Sequence, residues 1–277
     1  MKKKLLFVPF ATAALLLAAG CSSSSKETAS KPETSQEAKK ESKVLKQEDM
    51  QKVVTDPGAY KGDTVEFYGR VFVEPERDQK GVYLQMYALN KGKDGNAIVG
   101  YADPNFDVKN GDILYVKGTV EKAFEGENAM GGKITAPLIK AKEVKKSDYG
   151  TAFAPAKKSV DVNQEQNQSG FKVTVKKLEV AEDETRVYVS VANESNAKIN
   201  FYPNNAKLIQ NGKQLELADS YDKGYPEIQT DILPGTTTEG VLVYPAIADS
   251  GSVQLYAEGY SDNYEVDIKP FQYTINY

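Results

Sequence analysis

The chain has 277 residues with no histidine, no tryptophan and one cysteine, and its 35 basic and 39 acidic side chains leave a net charge of −4. Without histidine there is no Ser-His-Asp or Cys-His nucleophile and no histidine-ligated metal, and no cofactor is expected; a single cysteine leaves no intrachain disulfide, so each folded part rests on its own core. A net-acidic chain lacks the general electrostatic footprint of a nucleic-acid binder, so nucleic acid is not an expected partner.

Residues 1–20 read as an export signal. Lys2, Lys3 and Lys4 give a positive start, an apolar run follows over 5–19, and the small residues Ala18, Ala19 and Gly20 precede Cys21. The run falls short of the ~20 residues that span a bilayer as a helix, and Pro9 interrupts it, which favours a cleaved signal over a permanent anchor. Leu17-Ala18-Ala19-Gly20-Cys21 resembles the lipobox of bacterial lipoproteins, with Ala18 where leucine is commoner. That resemblance implies cleavage before Cys21 and a diacylglycerol on its sulfur. The protein would then be lipid-anchored on the extracytoplasmic face of the cell membrane. Residues 21–44 follow as a Ser-, Lys- and Glu-rich tether. Such a composition buries too little to offset its ordering entropy, and as a random coil it spans about 25 Å.

Residues 45–148 read as a small β-barrel. A short helix over 47–55 stops at Asp56-Pro57-Gly58. Apolar and polar residues then alternate over 64–73, 80–90, 96–102, 111–124 and 132–144, with Gly118 as a bend and Pro137 as a break. A non-strand segment sits near 104–110. The pleat turns Val65, Phe67, Gly69, Val71, Val73, Val82, Leu84, Met86, Leu114, Val116 and Val120 inward. Tyr60-Lys61-Gly62, Gly69-Arg70-Val71, Gly111-Asp112 and Lys117-Gly118-Thr119 resemble the OB-fold domains of anticodon-binding-like type seen in bacterial exported proteins. OB folds bind ligands on the face of their second and third strands with stacking aromatics. The outward-facing Tyr68, Arg70, Tyr83, Gln85, Tyr87, Tyr115 and Lys117 are therefore the candidate ligand-binding residues, with Tyr101 as a further member. The plainer account is that these tyrosines pack across strands.

Residues 149–170 read as a linker, from the Lys-, Ala- and Pro-rich stretch around Gly150 and Pro155. Residues 151–277 carry 11 basic and 18 acidic groups, read as a solvated acidic surface, and 171–277 read as the second folded body. Two strands flank the acidic turn Glu182-Asp183-Glu184, and others are expected near 206–210, 214–217, 240–244, 252–257 and 263–268. That spacing suits an Ig-like β-sandwich. The strings LPGTTTEGVLVYP and VSVANES resemble small Ig-like domains of unknown function in bacterial lipoproteins. Tyr256, Tyr260, Tyr264, Tyr273 and Tyr277 are either a protein-binding patch or half-buried sandwich residues.

The catalytic strings do not hold together. Ser220 to Lys223 matches S-x-x-K and Ser261-Asp262-Asn263 matches S-D-N, but no K-T-G accompanies them. Residues 126–133 miss the phosphate-loop spacing by one, with Ile134 in place of Ser or Thr, and 219–224 falls short of a calcium loop. The expected function is a non-enzymatic extracytoplasmic binding or adaptor module for another envelope component, protein or glycan. The first alternative is binding of a glycan or other oligomer on the tyrosine face of the barrel. The second is a hydrolase working through carboxylates alone, such as Glu125 with Glu127.

Overall fold

The computed structural model describes residues 42–127 and 131–277. The signal, the lipidation site Cys21 and the tether up to residue 41 lie outside the described residues. The fold is mainly β.

The first half contains β1 (Val44–Leu45), β2 (Thr64–Val71), β3 (Glu76–Arg77), β4 (Val82–Leu89), β5 (Asp94–Tyr101), β6 (Ile113–Glu127) and β7 (Lys133–Ser147). They hydrogen-bond in the order β1-β2-β6-β7-β5-β4-β3, and a further pairing of β2 with β4 closes the five long strands into a ring. Pairs around the ring are antiparallel except β5–β7. This is the five-stranded Greek-key barrel expected from the alternation. Val65, Phe67, Val71, Leu84, Met86, Leu114, Val116 and Val120 fill its interior. Val73 is the exception: pairing with β6 ends at Arg70 opposite Ile113, β2 stops at Val71, and Val73 is only half-buried beyond it.

A 3-10 turn (Gln47–Asp49) leads into α1 (Met50–Thr55), whose Met50 and Val53 plug the barrel. Gln47 also closes the weak seam between β2 and β4, where only two residue pairs are in register. Its Oε1 accepts the N–H of Tyr68 at 2.7 Å, and its Nε2 donates to the Ala88 carbonyl at 2.8 Å. Arg77 pins the connection from β5 to β6 by donating to the carbonyls of Pro104, Phe106 and Val108. Gly118 lies at a register shift, and a Cβ there would sit 2.6 Å from the Lys140 carbonyl oxygen. Pro137 does not break β7. It lies one residue before β5 begins to pair at Leu138, so the missing donor falls at an edge.

The second half contains α2 (Tyr149–Phe153), β8 (Lys158–Gln168), β9 (Phe171–Val180), β10 (Glu184–Asn193), β11 (Ile199–Phe201), β12 (Lys207–Gln210), β13 (Lys213–Leu215), β14 (Asp231–Ile232), β15 (Thr237–Pro245), β16 (Ser252–Ala257), β17 (Gly259–Ser261) and β18 (Phe271–Asn276). One sheet runs β15-β10-β9-β8, and two smaller ones run β14-β11-β17 and β13-β12-β16-β18. The N–H of Tyr202 donates to the Glu258 carbonyl at 3.0 Å, where β11 gives way to β12 and β16 to β17, so the smaller sheets continue one another. Phe171, Val187, Phe201, Leu208, Leu255, Phe271 and Tyr273 meet between the layers in one core.

Two expectations change here. The stretch 149–170, read as a linker, forms α2 and the edge strand β8. Apolar alternation in β8 is confined to Val160 and Val162, and beyond them its glutamines reach sideways: Gln164 and Gln166 donate to the carbonyls of Thr274 and Gln272 on β18, and Gln168 to that of Lys269 just before it. Residues 263–268, read as a strand, form a turn at Tyr264-Glu265 followed by an irregular stretch. The Asn263 side chain accepts the N–H of Glu265, its carbonyl accepts that of Val266, and the strand begins only after Pro270.

Candidate functional site

The seven candidates of the barrel fall into three neighbourhoods. Tyr68 on β2 faces Tyr115 on β6 with ring centroids 5.4 Å apart. Beside them Lys117 pairs with Glu66 at 2.8 Å, and Lys46 approaches the same carboxylate. Hydrogen bonds from Lys117 and Lys46 pull the Glu66 carboxyl down to about 2. This stripe is a cross-strand ladder whose charges are already matched.

Tyr83 and Gln85 stand exposed on the outer face of β4. The Tyr83 hydroxyl donates to Asp78 Oδ2 at 3.1 Å, and its ring lies against Gly100 of β5, where a Cβ would meet it at 3.6 Å. Gln85 is opposite Ile98. Tyr101 turns from this face to pack edge-on against Phe106 at 5.5 Å. Tyr87 is half-buried and stacks on Phe72 at 4.0 Å.

Arg70 leaves the barrel face altogether. Its Nη1 donates to the backbone carbonyl of Asp222, on the loop before β14. Here the two halves meet, within one compact unit, Ser42–Tyr277. The turn between β4 and β5 has positive φ at Asn90, Lys91 and Gly92, which brings Gly92 so close that a Cβ would lie 2.8 Å from Arg70 Cβ and 3.1 Å from the Phe153 ring. Lys91 pairs with Asp183, and Lys93 with Asp222 at 2.5 Å.

Behind this contact is a buried polar cluster. Along β10, Val187 and Val189 enter the sandwich core, while Glu184, Arg186 and Tyr188 turn the other way. The Arg186 side chain is 2% exposed. It donates to Glu179 Oε2 at 2.9 Å, to Glu184 Oε1 at 2.6 Å, and to the Ala154 carbonyl at 2.8 Å. Tyr188 donates to Glu179 at 2.8 Å, and Lys223 to Glu184 at 2.7 Å. Burial works against every one of these charges, yet the partners prevail. Glu179 and Glu184 are held below the ordinary carboxylate range, and Arg186 is held above its own. Burial, then the bond to Glu179, pushes Tyr188 up to about 12.

An open cleft of about 880 Å³ lies beside the cluster, lined by Arg70, Lys109 and Ser147 from the barrel and by Glu179, Tyr188 and Pro226 from the sandwich. Sequence reasoning missed this site, because Glu182-Asp183-Glu184 reads as a plain acidic turn. The available signal was Arg186 standing inside a run of β-branched residues, where an outward cation is solvated unless another layer covers it.

Other candidates lie elsewhere. Glu125 and Glu127 are exposed on the distal part of β6, opposite Thr135 and Lys133, outside the lining of the cleft. Lys223 of the S-x-x-K string is tied to Glu184. Residues 128–130 of the string compared with a phosphate loop lie outside the described residues. Of the C-terminal tyrosines, Tyr273 is buried with its hydroxyl donating to the Val173 carbonyl at 2.7 Å, Tyr256 and Tyr277 are half-buried, and only Tyr260 and Tyr264 are exposed. Among the described residues no helix is long and apolar enough to cross a membrane, and no group of three or more acidic or metal-ligating side chains is placed to hold a metal ion.

Residues 140–257 match a family described as a domain of unknown function, DUF5067. Among solved structures the chain is similar to a mitochondrial single-stranded DNA-binding protein from S. cerevisiae, with 13% identity over 31% of this chain and 95% of that one and a TM-score of 0.24. It is also similar to a functionally unknown protein from Listeria monocytogenes EGD-e, with 10% identity over 45% of this chain and 86% of that one and a TM-score of 0.33. No curated protein matches it.

Proposed function

We propose that this protein is a non-enzymatic binding or adaptor module, held on the extracytoplasmic face of the cell membrane by a lipid on Cys21, and that the outer face of β4 and β5 engages another envelope component. The observation that carries this reading is the pair Tyr83 and Gln85. Tyr83 is 39% exposed, yet its ring rests on Gly100 and its hydroxyl is fixed by Asp78, so it offers a preset aromatic surface beside the exposed amide of Gln85. The closed barrel holds both side chains in place, and the docked sandwich stiffens the body that carries them. A non-enzymatic role is supported by the cleft: the carboxylates of Asp112, Asp148, Glu179 and Asp222 are all engaged by protein donors, which leaves none of the four poised as a general base.

A second reading, glycan binding, is favoured by the same plate, because an aromatic ring flanked by an amide suits a sugar ring. Crosslinking on intact cells with mass spectrometry of captured proteins separates the two. Loss of one partner in the Tyr83→Ala, Gln85→Ala variant supports the adaptor role, and retention of every partner removes this face from consideration. Absence of any protein partner, with tyrosine fluorescence of the wild type saturating on soluble envelope glycan fragments, favours the second reading. The anchor is tested separately: Cys21→Ser is expected to leave the protein unprocessed or shed. Cleavage before residue 21 with retention at the membrane contradicts it.

A further inference from the structure

We propose that the cleft between barrel and sandwich binds a small carboxylate-bearing ligand, with Arg70 as its anchor. The site is distinct from the β4–β5 face.

The argument begins with the guanidinium of Arg70. Nη1 is used by the Asp222 carbonyl, but Nε and Nη2 are buried without a partner among the described residues. A buried cationic donor left unpaired is costly enough to need a reason. The vacant pair has a definite shape. Nε–H and the nearer Nη2–H lie along one edge of the planar fork, spaced to meet both oxygens of a single carboxylate.

The protein has no carboxylate in the cleft to spare for that edge. Asp112 pairs with Lys146 at 3.4 Å and accepts the N–H of Lys109 at 3.1 Å. Asp148 accepts the N–H and the hydroxyl of Thr151, each at 2.8 Å. Glu179 serves Arg186, Tyr188 and Lys177, and Asp222 serves Lys93. The cations divide differently. Arg186, Lys177 and Lys223 sit in close ion pairs, whereas Arg70 and Lys109 act on Asp222 and Asp107 only at longer range. The lining brings together five cations, Arg70, Lys109, Lys177, Arg186 and Lys223, against four carboxylates, Asp112, Asp148, Glu179 and Asp222, within a chain that is net acidic. Asn110 and Ser147 add neutral polar groups on the barrel wall, and Pro226 and Val241 add apolar surface opposite. The volume of about 880 Å³ suits a small molecule, since such sites run to ~300–1,000 Å³. Binding at that edge requires the side chains that now cover Nε and Nη2 to move aside.

The test is a titration of the full chain, ¹⁵N-labelled, with citrate, acetate and inorganic phosphate, followed by calorimetry and by the Arg70 Nε–H resonance. Citrate is expected to saturate and to shift that resonance. Arg70→Gln is expected to weaken citrate binding by about tenfold or more, and Lys109→Ala by about threefold. Arg70→Lys is expected to keep the charge but lose most of the affinity, because an ammonium lacks the fork. Tyr83→Ala should bind as the wild type does, so failure of this proposal and failure of the β4–β5 reading remain distinguishable. No saturation by citrate or acetate up to about 50 mM, an affinity of millimolar or tighter being the expectation, overturns the proposal. Equal citrate affinity in Arg70→Gln overturns it too. Saturation by phosphate alone replaces the carboxylate assignment. Should Arg70→Gln fail to fold, unchanged citrate affinity in both Arg70→Lys and Lys109→Ala overturns it in the same way.

Discussion

Arg70 donates from Nη1 to the backbone oxygen of Asp222 at 2.6 Å across 152 positions of sequence, and so a residue on the outer face of a barrel strand is committed to the opposite half of the molecule. Lys93 reinforces the contact by pairing with Asp222, and Gly92 lets the β4–β5 turn close over Phe153. Ile113, Tyr149, Ala154 and Ala181 form a small apolar cluster at the same junction. The junction thus has its own core, a rim of ion pairs, and the Arg186 cluster behind it.

Arg186→Ala is expected to destabilise the protein by about 3–5 kcal/mol, because it strands Glu179 and Glu184 in a covered site without their main partner. Arg186→Lys should recover only part of that loss, since one ammonium cannot reach Glu179, Glu184 and the Ala154 carbonyl together. Urea unfolding of the two variants against the wild type measures both effects.

Acid should weaken the same junction. Glu179 and Glu184 are held below the ordinary carboxylate value of 4.5 against the opposing effect of burial. A depressed carboxyl contributes stability that is complete above its unfolded pKa and is lost as pH falls through the folded one. Melting temperature should therefore stay nearly level from neutral down to about pH 4.5 and fall below it. Glu184→Gln should start lower and fall less steeply. Glu66 is depressed further, to about 2, but its partners are solvent-exposed lysines, and Glu66→Gln should change the profile little at physiological salt.

The barrel was legible in the sequence because its information is local. Val65, Phe67 and Val71 alternate with Glu66, Tyr68 and Arg70, and a two-residue period states which side each faces. Gly118 announced an irregularity because only a residue without Cβ fits beside the Lys140 carbonyl. The destination of an outward side chain is not local. Arg70 and Tyr83 both face out by the same rule, yet one enters a junction and the other meets solvent, a difference that depends on loops more than a hundred residues away. β8 was hidden for another reason. Its neighbours beyond β9 are bonded through glutamine amides, so only Val160 and Val162 carry an apolar period, too short to reveal the strand.

Gln47 should matter more than an exposed polar residue ordinarily does. Gln47→Ala leaves the Tyr68 N–H and the Ala88 carbonyl without their bridge at the β2–β4 seam and should cost about 1–3 kcal/mol. Gln47→Glu keeps an acceptor for Tyr68 and loses the donor to Ala88, so an intermediate cost is expected. Faster hydrogen exchange at the Tyr68 amide in Gln47→Ala, relative to amides in the barrel interior, would locate the effect at the seam.

Gly118→Ala tests the bulge. The added Cβ would lie 2.6 Å from the Lys140 carbonyl oxygen and 2.8 Å from Ile139 Cγ2, and neither backbone nor buried side chain can yield cheaply. A loss of about 2–3 kcal/mol is expected in thermal or chemical unfolding. Gly58→Ala is the control, since its nearest neighbour is the Asp56 side chain at 3.6 Å.

The glutamines of β8 make the last prediction. β8 and β18 are edge strands of the two layers, and exposed edges invite pairing with other chains. Gln164, Gln166 and Gln168 cover one edge with side-chain amides, and Gln168 Oε1 also accepts the Lys269 N–H at 2.8 Å. Replacing all three by alanine should cost about 0.5–1.5 kcal/mol per lost bond and expose the Thr274, Gln272 and Lys269 carbonyls as a template. Replacing all three by glutamate should be worse. A carboxylate cannot donate, so each new charge would face a carbonyl oxygen. Urea unfolding gives the first effect, and light scattering on a sizing column gives the second. A triple-alanine variant that stays monomeric and as stable as the wild type would show that the amides only decorate an edge already protected by its own twist.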